Sequence, residues 1–243
     1  MNATLPIPRD EARITPAIED YLKAIYQLNQ EEPEAGSVTG QRIAERLGVA
    51  SPSVTNMIKR LSDLGLVQYE RYHGVELSDA GERIALEVVR HHRLLERYLV
   101  EALGYGWDEV HDEAERLEHH ISKALEARMA AVLGDPTVDP HGDPIPRLDG
   151  SMADVVEMPL ITLAPGEPAR VQRVSDRDPQ RLRYLEELGI RPGVTIQVLE
   201  ALPFDGPLRL DVSGVEQLIG RPLAAVVQVA PPRRRSAGQV DSR

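Results

Sequence analysis

The sequence of 243 residues contains no cysteine, which excludes both disulfide bonds and thiolate metal ligands. Aromatic residues are scarce, with one tryptophan and one phenylalanine, so the core must rest on leucine, isoleucine, valine and alanine. No apolar run approaches the roughly 20 residues of a membrane span, and no charged-then-apolar leader opens the chain. These absences predict a soluble cytoplasmic protein that has no membrane partner.

The charge of the chain is acidic overall but unevenly distributed. A net charge of −11 and an isoelectric point near 5.2 argue against indiscriminate binding to polyanions. From Thr39 to His73, however, five lysines and arginines outnumber three acids. A locally basic segment of this kind can face the phosphates of a nucleic acid.

The N-terminal third has the pattern of a winged helix-turn-helix. A helix is predicted from Pro16 to Gln30, and two shorter ones over 41–47 and from Ser51 to the stop at Gly65. Two short helices joined by a tight turn that contains glycine are typical of a helix-turn-helix. Strand-like runs over 66–70 and 75–77 then flank a tip that carries cations, as in a wing.

The rest of the chain predicts a helical domain followed by a small β-barrel. Two long helices, Asp79–Leu103 and Trp107–Leu133, carry apolar faces that predict packing between subunits. The barrel is expected from short runs of strand character and one helical stretch. The predicted strands are Ala169–Val174, Val194–Leu199, Leu208–Val212 and Ala224–Val229, and the predicted helix is Gln180–Leu188.

The expected fold class is therefore mainly α with a small β component, in three domains. The predicted boundaries are 1–77 for the winged helix-turn-helix, 78–148 for a helical metal-binding and dimerisation domain, 149–168 for a proline-rich linker, 169–231 for an SH3-like barrel and 232–243 for a disordered tail.

Histidines and carboxylates are concentrated between His91 and His120. Four of them follow an i, i+4, i+7, i+8 spacing, which places them within about 100° on an ideal helix: His111, Glu115, Glu118 and His119. His92 and Glu96 form a second pair one turn apart. Such side chains suit a divalent transition metal, although a solvated helix face has the same composition.

Several motifs in this order resemble the diphtheria-toxin-repressor family of metal-dependent transcriptional regulators. The motifs are Glu-Asp-Tyr-Leu-Lys-Ala-Ile-Tyr (19–26), Ile-Ala-Glu-Arg-Leu (43–47), Ser-Pro-Ser-Val-Thr (51–55), Val-His-Asp-Glu-Ala-Glu-Arg-Leu-Glu-His (110–119) and His-Gly-Asp-Pro-Ile-Pro (141–146). The barrel, with Glu-Leu-Gly-Ile-Arg-Pro-Gly (187–193), resembles the SH3-like domain of bacterial iron-transport accessory proteins.

The resemblance implies a homodimer that binds a double-stranded DNA operator when it is loaded with metal and represses metal-uptake genes. It implies a primary metal site of Asp20, Glu115, Glu118 and His119, and a second site of His92, Glu96, His111 and Asp176. On the third predicted helix and the wing, eight residues have side chains that can contact bases or phosphates, although each could instead be an ordinary surface residue: Pro52, Ser53, Thr55, Asn56, Lys59, Arg60, Arg71 and His73.

The expected metal follows from two ligand positions. Iron-sensing members of the family carry Met and Cys where this chain has Asp20 and Glu115, and manganese-sensing members carry those carboxylates. Hard oxygen donors suit Mn²⁺, with Fe²⁺ as the alternative and with Zn²⁺, Co²⁺ and Cd²⁺ expected to bind in vitro. One departure is Lys23, where the manganese branch has a second acid, and this favours two separated sites.

A metalloenzyme is the rival hypothesis. A zinc hydrolase would require His-Glu-x-x-His or His-x-x-Glu-His, and residues 115–119 have Glu in place of the first His. No phosphate-binding loop, activated nucleophile or small organic substrate site is indicated. We therefore expect a regulator and not an enzyme.

Overall fold

The computed structural model describes residues 14–32, 36–70, 74–175 and 178–231. These residues form two compact units. The first comprises the described residues up to His92 together with Arg116–Glu126 and Pro146–Ser151, and the second comprises Arg93–Glu115, Ala127–Ile145 and the described residues from Met152 onward. Within the described ranges, no helix is both long and apolar enough to cross a membrane.

The first unit opens with three helices: α1 (Pro16–Glu31), α2 (Gly40–Leu47) and α3 (Ser51–Asp63). The hydroxyl of Thr39 caps α2 by accepting the N–H of Arg42, and Gly48 ends that helix at φ 63°. The core that these helices share contains five fully buried side chains: Ile18, Leu22, Ile25, Ile43 and Leu61.

A two-stranded sheet completes the N-terminal part of the first unit. The described residues of 14–77, which contain α1–α3 and this sheet, are called the head below. Strands β1 (Val67–Glu70) and β2 (Gly74–Leu77) are antiparallel, with Val67 opposite Leu77 and Glu70 opposite Gly74. The helix-turn-helix and the wing predicted from the sequence are therefore both present. Arg71 and His73, predicted at the tip of the wing, lie outside the described residues.

Helix α4 (Asp79–Leu103) begins and ends where the sequence predicts. The hydroxyl of Ser78 caps it by accepting the N–H of Gly81 at 3.2 Å. A Cβ on Gly81 would lie 2.0 Å from the carbonyl oxygen of Leu66. Only glycine therefore allows the first turn of α4 to approach the chain leading into the wing.

The predicted helix Trp107–Leu133 is wrong as a single element. The structure has two helices instead, α5 (Val110–Leu117) and α6 (Lys123–Val132). Ser122 begins the second helix, since its carbonyl accepts the N–H of Glu126 at 2.9 Å and its hydroxyl accepts the N–H of Leu125 at 3.2 Å. Glu118 and His119 consequently lie in a turn beyond the end of α5, so the helical stripe does not describe their positions.

The second unit contains a six-stranded antiparallel sheet of strand order β3-β8-β4-β5-β6-β7. Its elements in chain order are β3 (Met158–Pro159), β4 (Pro168–Val174), α7 (Pro179–Glu187), β5 (Thr195–Ala201), β6 (Leu208–Val212), β7 (Val215–Ile219), α8 (Arg221–Ala224) and β8 (Val227–Val229). Alternate residues of β6, namely Leu208, Leu210 and Val212, are buried in one core with Leu182 and Leu185 of α7.

Three details of this sheet differ from the sequence prediction. The predicted linker contains β3, which pairs with β8, and a 3₁₀ turn at Leu160–Thr162. Strand β7 was not predicted. It lies at the edge of the sheet, where it pairs only with β6, and its mostly exposed residues lack the alternation of buried and exposed positions that indicates a strand. The predicted strand Ala224–Val229 begins as the end of α8, and only Val227–Val229 pair.

Candidate metal centre

Three of the four residues predicted for the primary site lie together in the first unit. Asp20 on α1 and Glu118 and His119 after α5 each offer a ligand atom, and these atoms lie within 4.8 Å of one another. Asp20 Oδ1 is 2.8 Å from His119 Nε2, and Glu118 Oε1 is 3.5 Å from the same nitrogen. Glu118 is fully buried. Two carboxylates and one imidazole nitrogen therefore converge on one point.

The other ring nitrogen of His119 has a partner that the sequence analysis missed. Nδ1 of His119 lies 2.6 Å from a carboxylate oxygen of Glu19. A carboxylate on the far side of the ring fixes the orientation of a metal-binding histidine and directs Nε2 toward the ion. Glu19 immediately precedes Asp20 in the Glu-Asp-Tyr-Leu motif, and that adjacency was the only signal for it.

The electrostatics of this cluster favour a cation. Burial lowers the pKa of His119, but its hydrogen bonds to Asp20 and Glu19 and the charges of Glu118 and Asp20 outweigh burial and raise the pKa to about 10. The histidine is therefore protonated at neutral pH without metal. Its imidazolium then supplies the positive charge beside the surrounding carboxylates. A divalent ion fits the same donor set once that proton leaves.

The fourth predicted ligand, Glu115, belongs to the second unit. Its Oε1 lies 3.9 Å from Nε2 of His111, one helical turn earlier on α5. His111 Nδ1 in turn is 3.4 Å from Glu96 Oε1, so two of the residues predicted for the second site are neighbours.

His92, also predicted for the second site, belongs to the first unit, where its Nδ1 lies 2.6 Å from Glu118 Oε2. Asp176, the last predicted ligand of the second site, lies outside the described residues.

A further cluster in the second unit was not predicted. Glu96, Asp139 and His141 are all buried, and each offers a ligand atom within 4.8 Å of the others. Nε2 of His141 donates to the carbonyl of Trp107 at 2.7 Å, and the two rings stack with centroids 5.8 Å apart. Since a carbonyl only accepts, Nε2 carries a hydrogen. The other ring nitrogen, Nδ1, lies 3.7 Å from Glu96 Oε2.

Asp139 holds this cluster in place. One oxygen of its carboxylate accepts the backbone N–H groups of His141 at 2.8 Å and of Asp143 at 2.9 Å. Burial, together with the charges of Asp143 and Glu96, raises the pKa of Asp139 well above its usual range. Buried carboxylates that repel one another are stabilised by a cation, so this donor set also fits a divalent ion.

Glycine at position 142 explains how the second cluster is positioned. Gly142 has φ 95°, and a Cβ there would lie 1.9 Å from the carbonyl oxygen of Gln172 on β4. The backbone carbonyl of His141, the neighbouring residue, accepts the N–H of Val174 on the same strand at 2.9 Å. The Asp-Pro-His-Gly run at 139–142 was visible in the sequence, and two ligand-type residues in alternation before a glycine were the available signal.

The surface predicted to contact DNA lies on α3. Six predicted contact residues on this helix are exposed: Pro52, Ser53, Thr55, Asn56, Lys59 and Arg60. The opposite face, with Val54, Ile58 and Leu61, is buried in the head. The hydroxyl of Thr55 donates to the Ser51 carbonyl at 3.1 Å, which leaves its methyl group and its oxygen lone pairs for other contacts.

These features define a winged-helix DNA-binding protein with clusters of carboxylates and histidines, and family models match it throughout. "Iron dependent repressor, N-terminal DNA binding domain" matches residues 13–75, "Iron dependent repressor, metal binding and dimerisation domain" matches 78–147, and "FeoA domain" matches 158–231.

Known relatives and solved structures agree. The iron-dependent repressor IdeR of Mycobacterium leprae is 36% identical over 193 residues, which are 74% of this chain and 82% of the relative. The structure of a manganese-dependent transcriptional repressor in complex with manganese matches with a TM-score of 0.78 and 40% identity, covering 88% of this chain and 99% of the other. The structure of ScaR with bound Zn²⁺ matches with a TM-score of 0.71 and 33% identity, covering 87% and 98%.

The chain belongs to the iron-dependent repressor family, the family of the diphtheria toxin repressor. It is a metal-dependent DNA-binding transcriptional regulator and not an enzyme. Its second family domain is one of metal binding and dimerisation.

Proposed function

We propose that this regulator responds to Mn²⁺ and, when loaded, binds an operator as a homodimer and represses genes for metal uptake. The observation that carries the proposal is the donor set of Asp20, Glu118 and His119, which has two carboxylates and no sulfur. Oxygen donors suit Mn²⁺, whereas soft ligands would favour later metals. A 40% identical structure described as a manganese-dependent repressor supports this choice.

The positions of the ligands suggest how metal binding is coupled to DNA binding. Asp20 lies on α1, the first helix of the head, whereas Glu118 and His119 follow α5 in the sequence. A bound ion would supply positive charge that offsets both carboxylates. By binding together, the three side chains would restrain α1 and, through α2 that packs between them, the helix α3 that carries the predicted DNA contacts. A two-fold dimer requires such restraint, because operator half-sites lie about one helical turn, roughly 34 Å, apart.

The size of this coupling can be estimated from linkage. An ion that binds only the restrained form stabilises that form by about 2.7 kcal/mol at a hundred times its dissociation constant. That free energy corresponds to roughly a hundredfold change in DNA affinity, which is sufficient for a switch.

We assign a second metal site to Glu96, Asp139 and His141, with His111 beside Glu96. The burial of this cluster and the repulsion between its carboxylates support the assignment. His92 and Asp176, which the sequence also placed at a second site, stay predictions.

For DNA, we assign phosphate contacts to Lys59 and Arg60 of α3 and, on the wing, to Arg71 and His73. Base or groove contacts are assigned to the remaining predicted residues of α3: Pro52, Ser53, Thr55 and Asn56. The six α3 residues are exposed, so they are accessible to DNA. The positive charges of Lys59 and Arg60 favour phosphate, whereas the other four side chains are uncharged. Because the regulator acts on DNA, the cytoplasm is the proposed site of action.

An Fe²⁺-responsive regulator is the alternative, because relatives that are 31–36% identical are named iron-dependent or diphtheria toxin repressors. The two hypotheses are distinguished by operator affinity measured with Mn²⁺, with Fe²⁺ under anaerobic conditions, and with chelator. The operator can be selected from random duplexes in the presence of each metal. We expect Zn²⁺, Co²⁺ and Cd²⁺ to bind in vitro as well.

The substitution Asp20→Ala tests the coupling. We expect the variant to fold and to bind metal at Glu96, Asp139 and His141, but to lose most of the roughly hundredfold effect of Mn²⁺ on operator affinity. Asp79→Ala, which removes an exposed carboxylate from the same unit, is the matched control and should retain that effect. Unchanged Mn²⁺ dependence in Asp20→Ala would show that metal acts elsewhere.

A further inference from the structure

The first unit contains a buried lysine beside the proposed primary metal site of Asp20, Glu118 and His119. Lysine is rare in this chain, with three among 28 basic residues, and the other two, Lys59 and Lys123, are exposed. Lys23 on α1 is only 5% exposed. An ammonium group removed from water in this way destabilises the fold unless it is paired and hydrogen-bonded.

Lys23 pairs with Glu118, the buried carboxylate of the proposed metal site. Nζ of Lys23 donates to Glu118 Oε1 at 2.9 Å and to Oε2 at 2.8 Å, so both oxygens are engaged. His92 Nδ1 lies 3.2 Å from the same ammonium and 2.6 Å from Glu118 Oε2. The ammonium therefore sits between a carboxylate and an imidazole, which are donors that a divalent ion also uses.

Glu118 is shared between Lys23 and the proposed metal ligands. Its Oε1 faces Lys23 Nζ at 2.9 Å and His119 Nε2 at 3.5 Å. Lys23 follows Asp20 by three residues on α1, a spacing that places both on the same side of the helix. One carboxylate thus has an internal cation on one side and the Asp20–His119 pair on the other.

We propose that Lys23 is a competing internal cation which, by holding both oxygens of Glu118, sets the metal concentration at which the Asp20–Glu118–His119 site fills. This inference rests on the proposed metal-sensing function. Without metal, Lys23 neutralises the buried Glu118 and allows the site to exist empty and folded. With metal, its charge repels an ion that uses the same carboxylate, so the site is weaker than its donor set alone would make it.

The test compares Lys23→Met and Lys23→Gln with wild type, and uses Lys123→Met as the matched control because it makes the same change at an exposed position. Mn²⁺ affinity is measured by competition with a fluorescent chelator, and melting temperature is measured in chelator and in excess Mn²⁺. Wild type is measured first. If wild type binds no Mn²⁺, or if its operator affinity does not depend on Mn²⁺, the proposed function fails, independently of Lys23.

We expect both Lys23 variants to melt at a lower temperature than wild type in chelator, since Glu118 then lacks the ammonium group that donates to both of its oxygens, and to recover most of the difference in Mn²⁺. We expect Mn²⁺ to bind both variants at least about tenfold more tightly than wild type. The repulsion between the ion and an ammonium group that shares its carboxylate should exceed about 1.4 kcal/mol, the free energy that corresponds to a tenfold change in affinity. Lys123→Met should match wild type.

Unchanged or weaker Mn²⁺ binding in a folded variant would overturn the proposal, because a merely structural lysine predicts a loss of affinity and not a gain. If both variants fail to fold in chelator, they are refolded in Mn²⁺. Folding that depends on Mn²⁺ supports the exchange of one cation for another. Failure to fold even in excess Mn²⁺ refutes it, since the divalent ion should then replace the ammonium at Glu118.

Discussion

Metal binding at the Asp20, Glu118 and His119 cluster should release a proton from His119. Burial lowers the pKa of His119, but its hydrogen bonds to Asp20 and Glu19 and the nearby charges raise the pKa to about 10. A histidine must lose its proton to bind metal. At pH 7.5 the protonated form exceeds the neutral form by roughly three hundred to one. Each unit of increasing pH, up to the pKa, should therefore raise the apparent Mn²⁺ affinity about tenfold, or about 1.4 kcal/mol.

The metal-free protein should show the opposite pH dependence from the same group. Because the pKa of His119 is higher in the folded protein than its ordinary value of 6.5, protonated His119 stabilises the fold. That contribution is fully present below pH 6.5 and is lost as the pH rises toward about 10. Between these values, the metal-free protein becomes less stable while its affinity for metal increases.

Calorimetric titrations with Mn²⁺ at about pH 6.5, 7.5 and 8.5, in buffers of different ionisation enthalpy, measure the protons released. We expect His119→Gln to release about one proton fewer per chain than wild type at each pH. His120→Gln makes the same change at the exposed neighbouring residue and should behave as wild type. If affinity does not change across this range, or if His119→Gln releases as many protons as wild type, the reasoning about His119 is wrong.

Two other predictions concern the DNA surface and the second cluster. Lys59→Ala should weaken binding about equally for operator and random DNA and lower the slope of log affinity against log salt by about one unit, which titration at several salt concentrations measures. A loss confined to the operator would instead make Lys59 a base-reading residue. Asp139→Asn should bind one Mn²⁺ fewer per chain by metal analysis, yet melt no lower than wild type in chelator, because burial and neighbouring charges already oppose ionisation of Asp139. Retention of the full metal content would remove Asp139 from the second site.

The local elements of the head could be predicted from the sequence because their signals act over a few residues. Pro16 in the first turn of α1, Gly48 at the end of α2 and the serine before α4 each satisfy or terminate nearby backbone groups. The alternation of buried and exposed residues on α3 likewise follows from helical periodicity, so its exposed face could be anticipated.

Helical periodicity was misleading at the proposed metal ligands. A wheel drawn over residues 111–119 assumes one helix, but α5 ends at Leu117 and Ser122 begins another helix. The apolar and charged spacing continues through the break, so the pattern alone does not show where the helix ends. Glu118 and His119 were included in the stripe and Asp20 was added by the resemblance of the motifs to a family, but helical spacing does not bring these three residues together.

Tertiary structure alone revealed the groups that surround the proposed ligands. Glu19 contacts His119 across 100 positions of sequence, and Lys23 contacts Glu118 across 95. Asp139 lies beside Glu96 in a buried cluster although 43 positions separate them in the numbering of the chain. Capping and periodicity operate within a few turns of chain and are encoded locally. The pairing of buried charges depends on which distant segments pack together, and local sequence patterns do not show that Lys23 and Asp139 are buried or which groups they contact.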